Sequence, residues 1–130
     1  MQKHEEWFFF ASQDVAYARL AIVTECGLIL PAIYHTQQAA EKALKAYLCF
    51  SGDIIPRTHD LLRLLMLCSK FDRRMELLYE HCQELNPYAT KLRYPNDLWF
   101  IPELAELQAA VNRAEYVCGF LEDAISFKKK

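Results

Sequence analysis

Glycine is nearly missing from this chain, with three in 130 residues. That scarcity excludes a glycine-rich phosphate loop and any fold that turns tightly every few residues. Long apolar runs are missing too: no stretch reaches the roughly 20 residues that a membrane-spanning helix needs. The run Trp7 to Ala11 is broken by Gln13 and Asp14, and is too short for a signal-peptide core. There is no alternating strand pattern and no internal repeat. The five cysteines (Cys26, Cys49, Cys68, Cys82, Cys118) form no C-x-x-C pair. An odd count without a leader predicts reduced, buried thiols in a cytoplasmic protein. Cys82 with its neighbour His81 lacks two further ligands at metal spacing, and nothing else calls for a metal or a cofactor. A net charge of -2 exerts no global pull on nucleic acid or anionic membrane, so any phosphate contact must come from a local patch.

What is present is helix. A hydrophobic content of 53% with 25% charged residues suits one globular domain spanning residues 1–130. The organising stretch is Pro31 to Phe50, rich in Ala, Leu, Lys, Glu and Gln, with a first-turn proline and no glycine. Ala32, Thr36, Ala39, Ala43, Ala46 and Phe50 recur at three- and four-residue steps, so they share one face. Small side chains there admit a close neighbour. Ile33, Ala40, Leu44, Tyr47 and Leu48 widen the apolar surface, which predicts a central helix touched on more than one side. Glu41 precedes Lys45 by four, the favoured order for a helical ion pair. Gln37 and Gln38 need a buried partner for at least one of their amides.

A first helix is predicted from about Lys3 to Cys26, stepping through Trp7, Ala11, Val15, Ala18 and Ile22, with Gly27 as its left-handed stop. Phe8, Phe9 and Phe10 cannot all face one core, which points to another helix or another subunit. Residues 51–58 read as a loop, and Thr58 as the N-cap of a third helix from Leu61 to near Lys70. Asp72 reads as the cap of a fourth helix through Met75, Leu78, Cys82 and Leu85, ended by Asn86-Pro87. Residues 88–102 are irregular. A last helix runs from about Pro102 to Phe127 on Leu107, Ala110, Val111, Ala114, Val117, Leu121 and Ile125. The expected architecture is all-α: an antiparallel up-and-down bundle of four to five helices.

Three landmarks then fall in order: Gln37-Gln38-Ala39-Ala40-Glu41-Lys42-Ala43-Leu44-Lys45-Ala46 within the central helix, Thr58-His59-Asp60-Leu61, and Leu85-Asn86-Pro87-Tyr88 with Arg93-Tyr94-Pro95. Together they resemble the stand-alone HEPN family, small nucleotide-binding domains of prokaryotes and higher eukaryotes, over nearly the whole chain. The resemblance implies a helical bundle, commonly a homodimer, encoded beside a minimal nucleotidyltransferase with which it forms a toxin-antitoxin-like pair. Elsewhere in the superfamily, metal-independent ribonucleases use an Arg and a His four to six residues apart, brought together across the dimer. The one pair here with that spacing is Arg74 and His81, on the stretch before Asn86.

The candidate ligand residues are therefore His59 with Asp60, Arg93 with Tyr94, and Lys42 with Lys45. A histidine steadied by a carboxylate can meet a phosphate or a base, and Arg93 can contact phosphate while Tyr94 stacks. Each set has a structural reading beside the functional one. His59 and Asp60 suit a helix start, Arg93 suits an internal ion pair, and the two lysines suit a solvated face. Three functions remain open: a nucleotide- or RNA-contacting partner of a nucleotidyltransferase, a metal-independent HEPN ribonuclease toxin, and a helical dimerisation module without a ligand.

Overall fold

The computed structural model describes residues 1–91, 95 and 101–129. Among them are five α-helices: α1 (Lys3–Thr24), α2 (Ile29–Phe50), α3 (Leu61–Ser69), α4 (Tyr79–Leu85) and α5 (Leu104–Lys129). α2 is central and packs against α1, α5 and α3. The reason is the alanine face read from the sequence: Ala32, Ala39, Ala43 and Ala46 are fully buried. Ala11 and Ala18 of α1 are likewise buried, so small side chains lie on both helices of that pair. The Cys118 thiol of α5 reaches the Ala39 carbonyl at 3.7 Å, which shows how near α5 comes to the α2 backbone. Leu44, Tyr47 and Leu48 fill the other side of α2 against Leu61, Leu64, Met75 and Leu78 in one apolar cluster.

The ends differ in detail from the sequence expectation. α1 stops at Thr24: Glu25, not Gly27, is its C-cap and takes the left-handed conformation at φ 49°. α2 begins at Ile29, so Pro31 stands in its first turn. Its C-terminus is closed by a Schellman motif, in which Asp53 N donates to Leu48 O at 3.0 Å and Gly52 N to Cys49 O at 3.1 Å. Gly52 sits there at φ +79°, the position that selects glycine.

The cap of α3 is Asp60 rather than Thr58. One Asp60 oxygen accepts from Leu62 N (3.0 Å) and Arg63 N (3.4 Å), while Thr58 Oγ1 accepts from Asp60 N. Asn86 completes this helix start, accepting from Leu61 N at 2.8 Å and donating to Asp60 at 3.1 Å. That gives the Asn86-Pro87 landmark a local structural role. Asp72 does cap, but the turn it caps is a 3-10 stretch (Arg73–Leu78) that leads into α4. Met75 and Leu78, three apart, face the core as that tighter winding requires.

Candidate functional site

Buried charge marks the site. The outward strip of α2 carries Gln37, Glu41 and Lys45, yet all three are buried. Lys45 Nζ donates to Glu41 Oε2 at 3.0 Å, with the two side chains only 10% and 5% exposed. The other Glu41 oxygen accepts from His59 Nδ1 at 2.8 Å and from Gln38 Nε2 at 3.2 Å. Gln37 Nε2 donates to the His59 carbonyl at 2.8 Å, which ties the 51–60 loop down over α2. The buried partner that the glutamines require is thus a loop carbonyl. Gln37, Gln38, Glu41 and Lys45 thus each have a polar partner, as burial demands.

A second carboxylate repeats the pattern. Asp14 of α1 is buried and accepts from His35 Nδ1 and from Lys42 Nζ, both at 2.7 Å. Asp14 thereby commits both oxygens to α2, joining the two helices by charge where the alanines join them by packing. The tautomers follow from chemistry: an ionised carboxylate only accepts, so each histidine donates through Nδ1 and keeps Nε2 for another partner. His59 is 66% exposed, so its Nε2 edge faces solvent. His35 is half-buried beside the Tyr17 ring, with centroids 4.5 Å apart. Aromatic side chains of α1 flank the strip: Lys42 Nζ lies 5.9 Å from the Phe10 ring centre and Lys45 Nζ 5.8 Å from that of Trp7. Asp14 and Glu41 balance Lys42 and Lys45, so the layer has no net charge when the histidines are neutral.

Of the residues proposed from sequence, His59 and Lys45 both meet Glu41, Lys42 stands apart on Asp14, and Asp60 is occupied as a helix cap. Arg93 and Tyr94 lie outside the described residues. Arg74 and His81 are not joined. Arg74 makes a two-pronged contact with Asp72, 2.7 Å at its shortest, and its guanidinium covers the Phe127 ring. His81 instead takes Arg113 of α5, whose Nη1 donates to His81 Nδ1 at 3.2 Å. A guanidinium only donates, so this contact requires a neutral His81.

Sequence reasoning does not pick out His35 or Asp14 as site residues, although the clue is present. Asp14 stands in step with Ala11, Ala18 and Ala21 on the inward face, and His35 and Lys42 are seven apart on one face of α2. Arg113 carries no comparable clue, since its partner is 32 residues away.

Burial, and then the nearby Arg113 charge, hold the His81 pKa below its ordinary 6.5. The unfolded chain therefore binds this proton more readily than the folded one. The His81 contribution to stability is present above pH 6.5 and lost as pH falls from there through the lowered folded value. In an NMR titration His81 should titrate below 6.5, and Arg113→Met should move it upward. An unchanged midpoint in the variant would show that Arg113 has no part in the shift. Burial also pushes the thiols of Cys68, Cys82 and Cys118 up to about 12, so they stay protonated and inert at neutral pH.

Among the described residues, no helix is long and apolar enough to cross a membrane. A sequence model of the HEPN domain matches residues 4–124. Two crystal structures are similar over nearly their whole length. TT1696 from Thermus thermophilus has a TM-score of 0.83 at 26% identity, covering 95% of this chain and 98% of that one. ST0689, described as an archaeal HEPN homologue, has a TM-score of 0.75 at 26% identity, covering 96% and 99%. None of the curated proteins compared with the chain matches it.

Proposed function

The chain belongs to the HEPN domain family, and from that premise we propose that it contacts nucleotide or RNA as the helical partner of a minimal nucleotidyltransferase. The pair would be toxin-antitoxin-like, with this chain acting as a homodimer. The observation that carries the ligand reading is the paired carboxylate–imidazole arrangement that α1, α2 and the 51–60 loop build together. Two buried carboxylates, Asp14 and Glu41, each fix a histidine by Nδ1. Orienting an imidazole this way confers little stability on the exposed His59, but it presents Nε2 to a ligand in a set direction. Lys42 is a quarter exposed and can turn its ammonium to a phosphate. Phe10, largely exposed beside it, offers a face on which a base can stack.

The arrangement suits recognition better than cleavage. Arg74, the arginine with ribonuclease-like spacing, is held on Asp72 and away from His81. A metal-independent cleavage assay with wild type and His81→Ala separates the two readings. RNA cut by wild type and spared by His81→Ala would replace the binding reading with the ribonuclease one.

Binding itself is tested by titrating nucleotides and a short single-stranded RNA into wild type and His59→Ala, read by fluorescence anisotropy. One lost charge-assisted hydrogen bond corresponds to roughly tenfold weaker binding in the variant. Equal affinity for every probe would remove His59 from the site. Co-purification of the chain with a minimal nucleotidyltransferase is the expected result for the partnership.

A further inference from the structure

Among the described residues the outer face of α1 is largely exposed, with Tyr17 at its edge touching the His35 ring, although it is built like an interface. Between Trp7 and Thr24 only two residues are charged. Asp14 points inward, and Arg19 is turned aside to Glu115 of α5. The outward stripe that remains is Phe9, Gln13, Ala16, Tyr17, Leu20 and Val23. It carries no charge at neutral pH and spans about 21 Å along the helix. Phe9, Leu20 and Val23 are 50%, 58% and 71% exposed. Helices that end at solvent carry charge on that side, and this one does not.

We propose that this stripe is where a second copy of the chain docks, the two α1 helices lying antiparallel about a two-fold axis at Ala16. This names the face of the homodimer in the reading above and rests on that reading. Three observations select the occupant. First, an uncharged face meets its own copy without like-charge repulsion, as a two-fold interface requires. Second, the exposed parts of these side chains amount to roughly 500 Å², from the usual size of large apolar residues. That is at the upper end for a lone surface patch, and flanking Ser12, Thr24 and Leu28 bring it toward the ~800 Å² per partner of a standard interface.

Third, Ala16 lies midway between Phe9 and Val23 on the stripe. Its small side chain lets two backbones approach, and the antiparallel pairing then sets Phe9 of each copy against Val23 of the other. A parallel pairing would instead bring Glu5 and Glu6 of the two copies together, and would align rather than oppose the helix dipoles.

The test is the mass of the full-length chain in solution, measured by light scattering across a wide concentration range. Wild type should have twice the chain mass, Ala16→Glu and Leu20→Glu the single-chain mass, and all should give the same circular dichroism. Met66→Glu, at an exposed position on α3, should remain dimeric. Ala16→Cys should give a covalent dimer on mild oxidation beyond any that wild type gives through its exposed Cys26. A dimer that survives both glutamate variants overturns this face and leaves the homodimer reading standing. Wild type with the single-chain mass at every concentration overturns both. A dimer dissolved by Ala16→Glu yet not locked by Ala16→Cys overturns the two-fold at Ala16.

Discussion

Replacing Glu41 with alanine is expected to lower the unfolding free energy by about 3–5 kcal/mol, the usual effect of removing one member of a buried ion pair. The variant strands the Lys45 ammonium in a site where the side chain is 10% exposed. It also deprives Gln38 and His59 of their acceptor. A small domain holds only about 5–15 kcal/mol in total, so much of the stability is at stake. Chemical denaturation at neutral pH measures the loss. The companion experiment is the double variant Glu41→Gln with Lys45→Met, which removes both charges and should recover most of it, because neutral groups carry no desolvation penalty of that size. A Glu41→Ala loss under about 1 kcal/mol, or a double variant no better than the single, would show that the pair is solvated rather than buried.

Ala39→Leu should also be damaging, by a different route and to a smaller extent. Ala39 is fully buried, and its carbonyl accepts from the Cys118 thiol of α5 at 3.7 Å. Ala39 has no exposed surface, so for three added carbons α5 must move off α2 or the side chain must leave its rotamer. Overpacking of this kind costs about 1–3 kcal/mol and occasionally more. A shift in the thermal midpoint reads it out directly. Ala109→Leu is the control: the same chemical change at an exposed position of α5 should leave the fold almost unaltered. If Ala39→Leu were equally silent, the close approach of α2 and α5 would be wrong.

The two experiments probe different halves of one helix. The alanine face of α2 was legible because burial follows period: Ala32, Ala39, Ala43 and Ala46 fall on one side at helical steps, and all four are buried. The polar half was legible only in part. The Glu41–Lys45 pair followed from its spacing of four, but its burial did not. Burial there depends on the 51–60 loop folding back so that Gln37 can donate to the His59 carbonyl, a contact 22 residues apart in the chain. The cap of α3 differs from the local expectation for a similar reason. Thr58 and Asp60 both suit a cap by type, and Asn86, brought in from beyond α4, favours Asp60.

By itself the sequence determined the helical class, the central place of α2 and the family resemblance, because each rests on residue type and local period, which survive without the rest of the molecule. Only the tertiary structure decided which charges are buried, that Asp14 and Glu41 each orient a histidine, that His81 pairs with Arg113 rather than Arg74, and that Phe9, Leu20 and Val23 of α1 stand exposed. Those outcomes depend on distances between segments far apart in the chain. No spacing rule reports such distances, because the packing that sets them is settled only when all the helices meet.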